Sequence, residues 1–360
     1  LFPSKNGLFL KLYLDCSPLT NNQISGIGIY NKNLFLELHK IMGEQVSPVL
    51  KWNRLNKRAI VEKHLNCEVR ALPPLILNKK ILYHGTDHKI NTLTLGPKVV
   101  TVHDMQPFVD KWLDHDFSKK RREIMTKVLN SNVDRVIAVS DFTKSEIIRF
   151  FPRLSSKIDV IYHGYDFCGS VNQEEINRLP ALILERPFLL FIVNIEERKN
   201  LINQIKAFEI LKDKNPDLLF IIAGSLGFNH QEILDFIKNS KHQKSIHLMG
   251  YLNETEKIFA LEKTSCLMFA SWYEGFGIPV IEALSMNTNV LISDAASLPE
   301  IGGQYCRMCK AHDVKDIAEK TADIIQNGNL VKINLEEWKT KWSWSKCARE
   351  TIKTYQKIYI

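Results

Sequence analysis

The sequence predicts an α/β fold of two doubly wound parallel sheets, and three observations predict it. Short apolar runs rich in β-branched residues alternate with helical patterns along the whole chain, and that rhythm gives parallel sheets covered on both faces. At 360 residues and 41.6 kDa the chain is too long for one average domain and suits two. The segment between His163 and Pro187, with Gly164, Gly169 and Pro180, separates two such series and marks a change in charge. The expected division is a first domain over residues 1–166, a second over 167–343, and a C-terminal helix over 344–360 that crosses back to the first.

The strand runs of the first half are Leu8–Leu14, Ile81–Tyr83, Val99–Val102, Val136–Val139 and Val160–Tyr162. Those of the second half are Phe188–Val193, Leu218–Ile222, Ile246–Met249, Leu267–Phe269 and Val290–Ile292. Between them lie amphipathic stretches such as Leu201–Leu211, with Ile202, Ile205 and Phe208 at helical spacing. No repeat of 20–50 residues and no low-complexity tract interrupts the pattern. Ligands of doubly wound sheets sit beyond the carboxyl ends of strands, so residues just after these runs are the first candidates for a site.

Composition narrows the class further. Hydrophobic residues make up 45% and charged residues 24%, a balance that excludes disorder as the main state. No apolar run approaches the ~18 residues that a bilayer-spanning helix needs. The opening stretch, Leu1 to Leu14, lacks a basic start, an unbroken apolar centre and a small-residue cleavage site, so it is not expected to be a signal peptide. Seven scattered cysteines suggest a reducing compartment. Cys306 and Cys309 form one C-x-x-C without the second pair that a structural zinc needs, and they read as two buried or half-buried thiols. Residues 1–167 carry 25 Lys+Arg against 16 Asp+Glu, the remainder 23 against 24. Only the first half therefore faces an anionic partner. A nucleic acid is not expected, because the basic half has neither a known module nor interleaved aromatics.

The richest segment is Ser271-Trp-Tyr-Glu-Gly-Phe-Gly-Ile-Pro-Val-Ile-Glu282. It follows the run Leu267–Phe269 and opens a helix. Gly275 and Gly277 permit close backbone approach, and the helix start near Gly277 offers N–H groups and a positive dipole end to a phosphate. Glu274 stands before that helix and Glu282 in its second turn, so two carboxylates can bind different parts of a polyhydroxylated ligand. Two solvated glutamates on a strand–turn–helix are the alternative.

Glu274 to Glu282 matches the E-x7-E motif of retaining glycosyltransferases with the GT-B fold, and the surrounding text resembles family 4. So do Val290-Leu-Ile-Ser-Asp-Ala-Ala-Ser-Leu-Pro-Glu-Ile-Gly302 and the ending Trp342-Ser-Trp-Ser-Lys-Cys-Ala-Arg-Glu350. The resemblance covers nearly the whole chain and is densest from Phe188 onward. It implies two Rossmann-like domains facing across a cleft, the first on the acceptor side and the second holding a nucleotide sugar. Glu274 would contact the donor sugar, Glu282 the ribose hydroxyls, and Gly275, Phe276 and Gly277 the rest of the donor.

Other steps fit the same resemblance. Glu196-Glu-Arg-Lys-Asn200 follows a strand run, and two cations there suit a diphosphate, Arg by forking onto its oxygens and Lys as a point charge; a solvated surface pair is the alternative. By resemblance Arg198 and Lys199 form the phosphate clamp, although Asn194 stands where many relatives have an additional Arg. His103-Asp104, just past Val99–Val102, resembles the step whose histidine approaches the donor sugar; a lone His is otherwise more often structural. Gly26 and Gly28 resemble the family's glycine loop, although a lone G-x-G is weak and lacks the third glycine of a dinucleotide fingerprint. Gly250, Tyr251 and Leu252 match the region lining the nucleotide base. His163 stands where relatives commonly have Asn.

Asp116-Phe-Ser-Lys-Lys-Arg-Arg122 opens a helix marked by Ile124/Val128 and Met125/Leu129, with Asp116 as N-cap. Lys119, Lys120, Arg121 and Arg122 would then sit near a positive dipole end, which disfavours them. A solvated face is one reading of them. The other is an acceptor or anionic-membrane surface, extended by Trp52, Arg54, Lys57, Arg58 and Lys63.

The expected reaction moves a hexose from a nucleotide sugar to a hydroxyl of a glycan or lipid-linked acceptor, with stereochemistry kept. The donor would be GDP-mannose, with UDP-glucose close behind, and neither cofactor nor metal is required because protein charges do an ion's work. Bacterial cell-surface or lipopolysaccharide assembly is the implied setting, in the cytoplasm or at the inner face of its membrane. A nucleotide-sugar epimerase of similar fold, or a non-catalytic nucleotide-sugar-binding protein, are the alternatives.

Overall fold

The computed structural model describes residues 11–73, 75–88, 94–109, 116–165, 176, 185–329 and 331–359. They form two compact units, one of residues 1–164 with 340–360, the other of residues 165–339. Each apolar run overlaps a strand. Leu8 to Leu10, Asp166, Gly169 and Pro180 lie outside the described residues.

In the first unit the strands are β1 (Lys11–Asp15), β2 (Val46–Lys51), β3 (Arg70–Leu72), β4 (Ile81–Gly85), β5 (Lys98–Val102), β6 (Arg135–Ala138) and β7 (Ile158–Val160). They form one parallel sheet in the order β3-β2-β1-β4-β5-β6-β7. Its helices are α1 (Gly26–Met42), α2 (Arg58–Leu65), α3 (Asp116–Leu129) and α4 (Asp141–Phe150).

The second unit has β8 (Phe188–Ile192), β9 (Leu219–Ala223), β10 (Ile246–Gly250), β11 (Cys266–Phe269), β12 (Val290–Ser293) and β13 (Arg307–Cys309). These too are parallel, in the order β10-β9-β8-β11-β12-β13. Its helices are α5 (Leu201–Lys212), α6 (His230–Lys238), α7 (Glu254–Lys263), α8 (Ile278–Ser285), α9 (Leu298–Gly302) and α10 (Val314–Asn327), followed by α11 (Leu335–Lys341) and, packed in the first unit, α12 (Trp344–Gln356).

Three strands have no apolar run. β2 carries Ser47 and Pro48, and a proline argues against a central strand. β3 and β13 are three-residue edge strands.

In the first unit Leu12 and Leu14 of β1 pack with Leu34 and Leu38 of α1 and with Ala348, Ile352 and Tyr355 of α12. The opposite core joins Val100 and Val102 to Met125 and Leu129 of α3 and Ile147 of α4. In the second unit Phe191, Phe220 and Met268 pack against Ile205 and Phe208 of α5 and Ile317 of α10. Cys306 and Cys309 are both buried, and burial pushes their thiols up.

One boundary needs correction. Thr340 to Ser343, read from the sequence as the end of the second domain, belong to the first unit. The physical reason is Trp342, which is buried and packs its ring 5.4 Å from that of Tyr162. Beside it, a Cβ on Gly164 would meet the Trp344 backbone nitrogen at 2.1 Å, so only glycine allows this approach.

A buried polar chain ties α12 to the sheet. Tyr355 Oη and His84 Nδ1 are 2.7 Å apart, His84 Nε2 and Thr101 Oγ1 2.8 Å, and Thr101 Oγ1 and Tyr30 Oη 2.9 Å. Burial lowers the His84 imidazole to about 3. From about pH 6.5 down to 3 the unfolded chain therefore binds a proton that the folded chain refuses, and stability falls as pH falls. The loss from His84 is roughly 5 kcal/mol as an upper bound. His103 and His163, also lowered by burial, act in the same direction. The thermal midpoint should drop steadily from pH 7 to pH 5, and less steeply in His84→Gln; equal slopes in the two chains would contradict this origin.

Candidate active site

The strand order of the second unit reverses between β8 and β11, which pair directly, Cys266 with Leu189 and Leu267 with Leu190. The loops leaving these two strands at their carboxyl ends are therefore neighbours at the switch point, where doubly wound sheets hold their ligands. The first loop carries Glu196 to Asn200 and the second Ser271 to Gly277, so topology alone brings the two strongest motifs together.

Contacts of Glu274 define the centre. Its Oε1 accepts from Lys199 Nζ at 2.6 Å and from Ser271 Oγ at 2.9 Å, and its Oε2 accepts from an Arg198 guanidinium N–H at 3.1 Å. Arg198 also pairs with Glu196 at 2.7 Å and donates to the Tyr273 carbonyl. Lys199 and Glu274 are buried, whereas Arg198 is partly exposed. Burial pushes the Glu274 carboxyl up, but Lys199 and Arg198 more than offset it, so the group lies below the usual carboxylate range. Burial and the like charge of Arg198 hold the Lys199 ammonium below an ordinary lysine, against the pull of Glu274 and Glu196. The two shifts differ in origin: the carboxylate faces two cations, whereas the ammonium is desolvated beside another cation.

Backbone geometry fixes both loops. Asn200 takes the left-handed conformation at φ 57°, and its side-chain amide donates to the carbonyls of Ala270 (2.8 Å) and Ala311 (2.7 Å). Gln204 Nε2 donates to the Lys199 carbonyl at 2.8 Å, and Trp272 N donates to the Arg198 carbonyl at 2.9 Å. Ser297 Oγ donates to the carbonyls of Glu274 (3.0 Å) and Phe276 (2.8 Å), which pins the turn before α8. Gly277 caps that helix at φ 116°, and a Cβ there would also meet Leu298 at 3.1 Å. Asn200, Ser271 and Ser297 are the supports that motif reading missed as individuals, although the segments holding them stand out in the sequence.

The second glutamate lies apart from this cluster. Glu282 is buried in the second turn of α8, and its Oε1 accepts from Lys257 Nζ of α7 at 2.8 Å. Gly250 ends β10 at φ 67°, Tyr251 is 46% exposed and Leu252 is buried.

The remaining candidates belong to the first unit. Gly26 and Gly28 begin α1, where Ser25 caps the helix by accepting from Gly28 N. His103 follows β5, and its Nε2 lies 2.8 Å from the Thr86 carbonyl, to which it donates. Its ring is held edge-on by Tyr30 at 4.9 Å and beside His163 at 5.4 Å.

The four cations of α3 point around the helix. Lys119 and Lys120 are exposed and Arg122 is half-buried, but Arg121 turns toward Asp104 at 3.3 Å. Consecutive residues on an α-helix point about 100° apart, so four in a row spread around most of the circumference. Around Trp52, which is 71% exposed, the arginines are also engaged: Arg54 donates to Thr20 Oγ1, and Arg58 pairs with Glu62 and Glu68.

Two Rossmann-like parallel-sheet units, the second with a cationic and acidic cluster at its switch point, are the parts of a GT-B fold. Residues 172–340 match the family model "Glycosyl transferases group 1" and residues 88–167 match "Glycosyltransferase Family 4", and the chain belongs to this glycosyltransferase family. It is 26% identical over 292 residues to O-antigen chain mannosyltransferase B of Escherichia coli, covering 77% of this chain and 74% of that one. It is also 26% identical over 226 residues to O-antigen chain mannosyltransferase RfbU of Salmonella typhimurium, covering 62% and 59%. Among solved structures it shares the fold of Anabaena HepE in complex with UDP and glucose, at a TM-score of 0.75 and 14% identity over 96% of this chain and 99% of that one. Sucrose-phosphate synthase from Thermosynechococcus elongatus gives 0.70 and 16%, over 97% and 99%. Among the described residues no helix is long and apolar enough to cross a membrane.

Proposed function

We propose that this glycosyltransferase moves mannose, or failing that glucose, from a nucleoside diphosphate sugar to a hydroxyl of a glycan or lipid-linked acceptor, with the anomeric configuration retained. The observation that carries this reading is Glu274 held ionised between Lys199 and Arg198 at the switch point. Mannose is favoured by the curated relatives, several of which are named as mannosyltransferases. Glucose stands second because HepE was solved with UDP-glucose. An epimerase is not favoured, since the matching families and relatives are transferases.

In the proposed reaction the bond from the anomeric carbon to phosphate oxygen breaks, and its electron pair leaves with the diphosphate. The acceptor oxygen bonds that carbon, and its proton passes to the leaving phosphate oxygen, which has gained the electron pair. Negative charge grows on the diphosphate, so fixed cations beside it stabilise the transition state more than the ground state. Lys199 and Arg198 would supply that charge from the chain itself, without a metal. Before donor binding both are matched by Glu274 and Glu196. An arriving diphosphate competes for the cations and releases carboxylate oxygens of Glu274 to accept from sugar hydroxyls.

Incubation with GDP-mannose or UDP-glucose tests the reading. One of them should raise the thermal midpoint and release its nucleoside diphosphate when a glycan acceptor is added; failure of both would contradict it.

Attraction to an anionic membrane completes the proposal, now resting on Lys119, Lys120 and Arg122 without Arg121. Neutralising those three should weaken binding to anionic vesicles at low salt and have little effect at high salt. Equal binding by both chains at low salt would remove it.

A further inference from the structure

Glu282 has a partner that no sequence motif announces. Lys257 lies on α7, whose N-terminus is fixed by a capping box: Asn253 Oδ1 accepts from Glu256 N, and Glu256 Oε2 accepts from Asn253 N. From there Lys257 extends to Glu282 Oε1 at 2.8 Å and to Glu254 Oε2 at 2.9 Å. The three differ in exposure: side-chain values are 11% for Lys257, 5% for Glu282 and 67% for Glu254. The buried end of this triad is therefore a lysine–glutamate pair, with Glu254 as its link to solvent.

Stability does not explain the pair, because a buried ion pair contributes little against an apolar pair of similar volume. Its chemistry does offer an explanation. A carboxylate turns about its broad terminal torsion, and a cation bonded to one oxygen fixes where the other points. Two neighbouring ribose hydroxyls need an acceptor that keeps one orientation. Lys257 occupies one position on Oε1 and leaves the others, including Oε2, for hydroxyl donors.

We propose that Lys257 is a positioning residue for the nucleotide ribose, holding Glu282 aimed so that it accepts from both ribose hydroxyls. This rests on the nucleotide-sugar reading above. Lys257 then governs recognition of the ribose and leaves the chemistry at the sugar carbon alone, so its loss should appear in donor KM much more than in kcat.

The test uses the full chain and calorimetric titration with GDP and UDP and with their 2′,3′-dideoxy forms. For whichever base binds more tightly, the unaltered chain should prefer the ribose form by about ten- to a hundredfold, the range of hydrogen bonds to a charged group. Lys257→Met should remove most of that preference, and Lys257→Arg should restore it. Should Lys257→Met fail to fold, Lys257→Gln takes its place, as a neutral donor of similar length. A Lys257→Met chain that discriminates as the unaltered chain does would overturn the proposal while leaving the donor reading intact. If neither GDP nor UDP binds the unaltered chain, the donor reading fails and this inference fails with it.

Discussion

Lys199→Met is expected to lower sugar transfer by about 10²–10³-fold, the usual effect of removing one well-aimed donor from a site of developing negative charge. It removes the ammonium 2.6 Å from Glu274 in a buried setting, and Arg198, partly exposed, is left as the second cation. Affinity for the nucleoside diphosphate should fall as well. The change also breaks a buried pair, at a cost of roughly 3 kcal/mol, so activity should be measured well below the unfolding midpoint of the variant. Lys199→Arg is expected to recover only part of the rate, because it puts a longer planar fork in place of a buried point charge. Turnover in Lys199→Met within threefold of the unaltered chain would contradict this role.

Glu274→Gln should separate two properties that most active-site substitutions lose together. The carboxylate competes with any diphosphate for Lys199 and Arg198. Its neutral isostere leaves both cations free of that competitor, so GDP or UDP should bind the variant severalfold more tightly. Transfer should nevertheless fall by about 10²-fold or more, because the amide keeps only one acceptor oxygen for the sugar. Tighter product binding with collapsed turnover is the expected signature, read by calorimetry and by a transfer assay on the same preparation. Weaker diphosphate binding in Glu274→Gln would show that the carboxylate supports the clamp and does not compete with it.

How much of this is legible in the sequence depends on how local each feature is. Strand runs such as Phe188–Val193 and Leu267–Phe269 identify β8 and β11, and the residues just beyond them are Lys199 and Glu274. Their contact follows once β8 and β11 are neighbours, but single-sequence patterns do not give strand order. β2 is hidden by Pro48, which sits in a strand paired on both sides. Partnerships between helices are less legible still. Lys257 and Glu282 meet because two crossovers bring α7 beside α8, and nothing in either helix taken alone announces it. His84 and Tyr355 lie 271 positions apart and pair only after the last helix returns to the first unit. The α3 cations show the opposite case. They are adjacent in sequence, and the helical turn directs Arg121 to Asp104 and away from its neighbours.

The supports of the site were similarly out of reach. Ser297 holds the Glu274 turn through two carbonyls, and Asn200 does the same for the Lys199 loop from a left-handed backbone position. Both lie in segments whose text is distinctive. Their role is to accept strain or fix carbonyls, and it depends on which backbone comes within reach.

The most direct measurement is a calorimetric titration of GDP-mannose and UDP-glucose into the unaltered chain, Lys199→Met and Glu274→Gln, with the free nucleoside diphosphates as controls. The unaltered chain should bind one donor, Lys199→Met should bind it at least tenfold more weakly, and Glu274→Gln should bind the free diphosphate more tightly. Indistinguishable affinities across the three chains would contradict this, because the diphosphate would then be held somewhere other than at Lys199 and Arg198.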